Sequence, residues 1–214
     1  MDSRVKKLIE IASCKNILHL GCADMPYTLE RIENNSILHL YLMKYARKLI
    51  GIDVDFDSLE IMKRKYRDYK FYQPSEIPEK DLMDIEVVIA GEVIEHILDL
   101  QQFGLELQKY CKYGAILVIT TPNAYSLKAC IRAILGREVQ HPDHISLFTT
   151  ETLINCMNRL GFQLLDSGYY NNPPRKLISK FPGWVINSIL KIAPRASDGL
   201  IFTFNLRKEK LNTD

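Results

Sequence analysis

The chain has 214 residues, 47% of them hydrophobic and 25% charged, which suits a soluble globular protein with room for one core closed without disulfide or metal staples. No stretch reaches the roughly 18 consecutive apolar residues of a membrane span, so a transmembrane segment is not expected. A formal net charge of +2 leaves no electrostatic footprint for a long phosphate backbone, and nucleic acid is an unfavoured partner.

The first thirteen residues, MDSRVKKLIEIAS, mix charges into a helical apolar pattern and lack the continuous apolar core of a secretion signal. Strands are predicted at NILHLG (16 to 21), KLIGIDV (48 to 54), YKFYQ (69 to 73), IEVVIAG (85 to 91) and AILVITT (115 to 121). Between them, SILHLYLMKYARK and SLEIMKRKYRDY place apolar residues at three- and four-residue spacing, as helices do. Alternation of strand and helix predicts an α/β fold with a parallel sheet covered on both faces. A further helix follows in TTETLINCMNRLGF, capped by Thr149 or Thr150 and ended by Gly161. FQLLDSGYY and LIFTFNLRK supply two more strands, making seven.

The last two strands are separated by a connection too long for a tight turn. The chain is therefore expected to form a single domain, 1–214, with an insertion at 171–199. That insertion gathers Ile178, Phe181, Trp184, Val185, Ile189, Leu190 and Ile192 between lysines and arginines, a composition that suits a lid or an interfacial helix as well as ordinary packing. The five cysteines are scattered, odd in number and without a C-x-x-C pair, and are expected to be reduced core fillers of a cytoplasmic protein. His19 and His39 lie in apolar patterns and are expected in the interior or at an interface.

In an open parallel sheet, ligands bind beyond the carboxyl ends of the strands where the winding reverses. Gly21 follows the first strand and permits close backbone approach, and the small Cys22 and Ala23 keep that approach open. Asp53 ends the second strand, where a carboxylate can accept both hydroxyl hydrogens of a ribose. Glu92, Glu95 and His96 follow the fourth strand and would share one face of a helical turn. Two carboxylates and an imidazole can ligate a divalent ion, with His141 or His144 of HPDH completing the set. Without a metal, His96 or His144 is a candidate catalytic base, since imidazole titrates near neutrality.

The segments ILHLGCAD, LIGIDVD, IEVVIAGEVIEHILD, GAILVITTPNAYSL and HPDHISLFTTETLINCMNRLGF, read in order, resemble the successive motifs of class I S-adenosylmethionine-dependent methyltransferases. The likeness is to the branch with ubiquinone-biosynthesis-type O-methyltransferases and sugar and natural-product methyltransferases. It implies a Rossmann-like, doubly wound, seven-stranded sheet, mostly parallel with an antiparallel last strand. It also implies S-adenosylmethionine as cofactor, with Gly21, Cys22 and Ala23 along its methionine part and Asp53 on the ribose beside Val54. Ser75 or Glu76 would lie at the adenine amine, and Ala90 and Gly91 would form the floor. His19, Ala23 and Met25 depart from the family pattern, which has an acidic residue and two glycines there, and a long segment separates the first two motifs.

The E-x-x-E-H pattern with a distant histidine resembles metal sites of some ubiquinone-type O-methyltransferases and of small-RNA 2′-O-methyltransferases. It makes Glu92, Glu95, His96 and His144 the candidate ligands of a divalent ion, Mg or Zn. The expected activity is methylation of a hydroxyl on a small molecule or glycan, which a greasy insertion would allow to be lipid-linked, with peripheral membrane contact. The alternatives are an RNA 2′-O-methyltransferase and a noncatalytic S-adenosylmethionine-binding module.

Overall fold

The computed structural model describes residues 3–138, 140–172, 188 and 190–207. Strands β1 (Asn16–Leu20), β2 (Lys48–Ile52), β3 (Lys70–Tyr72), β4 (Val87–Gly91), β5 (Ile116–Pro122), β6 (Phe162–Tyr170) and β7 (Gly199–Leu206) form one sheet in the order β3-β2-β1-β4-β5-β7-β6. The first five run parallel, and β7 is antiparallel to both neighbours. Seven strands and an antiparallel last strand agree with the sequence reading. Winding reverses between β1 and β4, so the crevice beyond their carboxyl ends is the ligand position of such a sheet.

The helices that flank the sheet are α1 (Ser3–Ala12), α2 (Thr28–Glu33), α3 (Leu38–Met43), α4 (Phe56–Lys65), α5 (Glu79–Leu82), α6 (Leu100–Cys111), α7 (Leu127–Ile134) and α8 (Thr150–Arg159). α1 buries Val5, Leu8, Ile9 and Ala12, a 3-1-3 spacing that puts one apolar stripe on the sheet. It packs with Leu38 and Leu42 of α3 against Ile17, Val87 and Ile89. The opposite face carries α6 and α8, whose Phe103, Leu107, Leu153 and Met157 meet Leu18, Val88 and Leu117. Alternate residues of β1 thus serve the two layers, as a strand buried on both sides requires. α2 and α3 account for the long segment between the first two motifs.

Local signals set the helix ends. Asp55 and Asp99 cap α4 and α6 by accepting from Ser58 N and Gln102 N. Thr149 caps α8 in a capping box closed by Thr152. Gly161, at φ +84, turns the chain into β6 in a conformation that favours glycine. Cys22 and Cys111 are buried, as expected of core fillers, whereas Cys14 and Cys130 are exposed and correct that reading. No described helix is long and apolar enough to cross a membrane. Ile178, Phe181, Trp184, Val185 and Ile189 of the insertion lie outside the described residues.

Candidate active site

The turn after β1 is stitched to the end of β2. Gly21 N and Cys22 N both donate to Ile52 O (2.9 and 3.1 Å), and Ala23 N donates to Asp53 Oδ2 at 2.8 Å. Asp53 Oδ1 accepts from Asp55 N at 3.1 Å. The acid predicted to grip a ribose is therefore also the anchor of the neighbouring loop. A carboxylate has about four lone-pair sites, so two amide bonds leave acceptor capacity for ribose hydroxyls. Burial raises the Asp53 pKa against the opposing effect of the amides of Ala23, Asp55 and Val54.

The side chains of Cys22 and Ala23 are fully buried with Ile37, Leu59 and Phe71. Small size there satisfies the core, and neither side chain is open to a ligand. Burial and the Asp53 charge hold the Cys22 thiol well above its usual pKa, which keeps it unreactive. Gly21 sits at φ +69, and a Cβ built on it would lie 2.8 Å from Val93 Cγ2. Gly21→Ala is accordingly expected to cost about 1–2 kcal/mol through left-handed strain and crowding, lowering the melting temperature by roughly 2–8 °C. Adding Val93→Ala should restore the crowding part and leave the strain.

On the side expected to face the adenine, Val54 is exposed and Ser75 shares with it a surface cleft of about 600 Å³, bounded by Gln73, Pro74 and the α6 residues Gln102, Leu105 and Glu106. Glu76 Oε2 accepts from Gln73 N at 3.3 Å and so folds back on its own loop. Ala90 is buried inside β4; Gly91 is half-buried, with Leu38 Cδ2 3.2 Å from where a Cβ would stand. The structure thus brings Asp53, Val54 and Ser75 to one edge, with the Gly21 turn behind Asp53.

β4 ends in a sharp change of direction. Glu92 has φ +58, a rare conformation for a non-glycine residue, and its N–H donates to Thr120 O at 2.8 Å. A 3₁₀ turn, Ile94–His96, follows. Glu92 therefore precedes the turn and does not share a helical face with Glu95 and His96. Tyr170 Oη donates to Glu92 Oε1 at 2.6 Å, and Arg4 Nη1 lies 3.3 Å from Oε2. The α1 residue Arg4 and the last residue of β6 thus hold Glu92 in its left-handed position.

Glu95 points inward and is fully buried. Thr121 Oγ1 donates to its Oε2 at 3.0 Å, while Oε1 is buried with no hydrogen-bond partner. Burial, reinforced by the Glu92 charge, pushes its pKa up to about 7. Its main-chain oxygen accepts from Ile145 N and Ser146 N (3.0 and 3.1 Å), drawing in the loop that carries HPDH. His96 Nδ1 lies 3.0 Å from Asp143 O. A carbonyl only accepts, so that nitrogen carries the proton and Nε2 keeps its lone pair.

His144 stacks edge-on to His96 with ring centroids 4.8 Å apart, and its Nδ1 is buried without a partner. Burial and the neighbouring His96 and His141 lower its pKa, favouring the neutral ring. Among the described residues, the ligand atoms of Glu95, His96 and His144 gather within 4.8 Å of one another. His141 stands one ring further out, 6.0 Å from His96 and 5.3 Å from His144 between centroids. Of the four candidate metal ligands, three converge and Glu92 does not. The orphaned Glu95 Oε1 and His144 Nδ1, with the free Nε2 of His96, are a donor set that fits a divalent ion.

The partners that shape this end, Arg4, Thr121 and Tyr170, carried no signal in the sequence, since each reaches the site from an element remote in the chain. His19 and His39 are buried and stacked, their Nδ1 atoms 3.1 Å apart, which agrees with the interior reading.

The family model for a methyltransferase domain matches residues 2–167, more than three quarters of the sequence. The chain belongs to the methyltransferase domain family. A curated relative from Mycolicibacterium smegmatis, named as a probable S-adenosylmethionine-dependent methyltransferase, is 26% identical over 165 residues, 76% of this chain and 57% of the relative. The ubiquinone biosynthesis O-methyltransferase of Pelagibacter ubique is 30% identical over 103 residues, 45% of this chain and 42% of the relative. The chain thus spans about half the length of the curated relatives it matches. Magnesium protoporphyrin IX methyltransferase (ChlM) from Synechocystis, solved with bound SAH, superposes on this methyltransferase domain with TM-score 0.58 at 11% identity, covering 96% of this chain and 82% of that one. At that identity the likeness is one of fold. The fold is that of solved methyltransferases and the family that of methyltransferase domains.

Proposed function

We propose that this methyltransferase domain transfers the methyl group of S-adenosylmethionine to a hydroxyl of a small molecule or glycan, with a divalent ion held by Glu95, His96 and His144. The convergence of these three side chains beside the β4 tip is the observation that carries this reading. The likeness to a ubiquinone biosynthesis O-methyltransferase supports oxygen as the methylated atom.

S-adenosylmethionine supplies an electrophilic methyl on a sulfonium, and the ion would polarise the acceptor hydroxyl. The chain's own part is to position the reactants. Asp53 and the backbone of the Gly21 turn hold the adenosyl group at the switch point between β1 and β4. His96 Nε2, with the tautomer set by the Nδ1 bond to Asp143 O, would offer its lone pair to the ion. As the new carbon–oxygen bond forms and the carbon–sulfur bond breaks, the hydroxyl proton leaves to solvent, and S-adenosylhomocysteine departs. One carboxylate oxygen and two imidazole nitrogens suit zinc better than magnesium, which prefers an all-oxygen shell.

The test combines calorimetric titration of the purified chain with Zn²⁺ and a methyl-transfer assay over phenols, catechols and sugars. Chelation should lower turnover by about 10²-fold or more, with recovery on adding metal back, and Glu95→Gln and His144→Ala should each weaken Zn²⁺ binding about 10–100-fold. Turnover indifferent to chelator and to both substitutions would refute the metal, and absence of transfer to every hydroxyl acceptor with transfer to amines would refute the O-methylation reading.

A further inference from the structure

α7 is built inside out. Its solvent-facing positions, Cys130, Ala133 and Ile134, fall at helical spacing and are uncharged, and no residue of the helix is buried. The charged residues sit on the inner flank instead. Lys128 Nζ donates to Asn172 O at 2.9 Å and pairs with Asp198, and the Nε of Arg132 is shielded from solvent. An ordinary surface helix is arranged the other way round.

The exposed apolar surface continues past the helix. Ile134 is 84% exposed and Leu135 69%. Leu190 packs on Leu127, which brings Ile192, 88% exposed, to the same side of the molecule. Charge decides among occupants. Lys128 pairs with Asp198 and Arg195 lies 3.6 Å from Glu151, whereas Arg132, Arg137 and Lys191 have no ion pair among the described residues, and Glu138 is the one carboxylate between Ala124 and His141. Large apolar side chains facing water beside unpaired cations are the composition of a helix that lies in a lipid headgroup layer.

We propose that the outer face of α7 docks on an anionic lipid surface, with Ile134 and Leu135 entering the acyl boundary and Arg137 and Lys191 meeting headgroup phosphates. Phe148 bridges to Asn123 at the root of α7, so the segment carrying His141 and His144, which follows the exposed end of α7 in sequence, returns to the start of that helix. Docking would set the metal-capable cluster near the lipid surface. The proposal does not depend on methyl transfer, because binding is measured without cofactor or acceptor.

The full chain is sedimented with vesicles of phosphatidylcholine, with and without 30% phosphatidylglycerol (about that fraction suffices to set a negative surface potential), at low and high salt. The chain should sediment with the anionic vesicles at low salt and be released by salt. Ile134→Asp and Arg137→Glu should each lower the bound fraction about fivefold or more. Both positions are exposed, and an unchanged melting temperature confirms that the fold survives. Equal sedimentation of parent and variants, or no binding to anionic vesicles, overturns the proposal. Self-association in ultracentrifugation that Ile134→Asp abolishes, without vesicle binding, reassigns the face to a second copy.

Discussion

Asp53→Ala lowers the affinity for S-adenosylhomocysteine by about 10²-fold or more, read by calorimetric titration. Two effects add. The variant loses the hydrogen bonds a carboxylate offers to ribose hydroxyls, each worth about 1.5–3 kcal/mol when the acceptor is charged. It also frees the Ala23 amide, now held 2.8 Å from Asp53 Oδ2, so the turn that forms the cradle loses its anchor. The unliganded variant should melt lower as well, because a buried N–H without a partner costs about 1–3 kcal/mol. Asp53→Asn keeps one acceptor but sets an NH₂ against a backbone N–H, and should lie between parent and Ala in both measurements. Parent-like affinity in both variants would mean that the adenosyl group binds elsewhere.

The second large effect is on stability in acid. Burial, with a smaller contribution from Arg4, pulls the His19 pKa down to about 3, and burial also holds His39 well below its usual value. A histidine depressed in the folded state binds protons preferentially when unfolded. Its stabilising contribution is therefore complete above the unfolded pKa of 6.5 and declines as pH falls from there toward 3. Between pH 7 and pH 5 the His19 contribution alone amounts to a loss of about 2 kcal/mol. Replacing the pair with His19→Leu and His39→Phe removes this loss, so the gap between the unfolding free energies at pH 7 and pH 5, read from urea titration, should narrow by at least that amount. Glu95 acts in the opposite sense, since a carboxyl raised to about 7 gains folded-state protons as pH falls, and it contributes equally to parent and variant. The difference between the two proteins therefore isolates the histidines. An unchanged gap would place the proton uptake elsewhere.

The sheet was legible because each strand is an apolar run bounded by polar or turn residues, and the observed strands fall within the predicted segments or one residue beyond them. Helix caps were legible for the same local reason: the side chain of Thr149 and the backbone freedom of Gly161 act within a few residues. The site was read in part. Gly21 and Asp53 were singled out, but the bond from Ala23 N to Asp53 was not, because a loop resting on a carboxylate leaves no periodic mark. The smallness of Cys22 and Ala23 was ascribed to ligand approach, and it serves the packing against Phe71 instead. Glu92 was grouped with Glu95 and His96 by spacing alone. Tyr170 and Arg4, 78 and 88 positions away along the chain, direct it elsewhere. The exposure of Cys14 and Cys130 shows the limit of composition, which counts residues without saying which way they face.

The main-chain oxygen of Glu95 clasps the backbone of Ile145 and Ser146, and Asp143 clasps the His96 ring. Tip of β4 and histidine loop are thereby latched into one rigid jaw. Under the proposed function, prising it apart to admit a bulky guest would part His144 from Glu95 and His96, so the expected selection is first of all by girth.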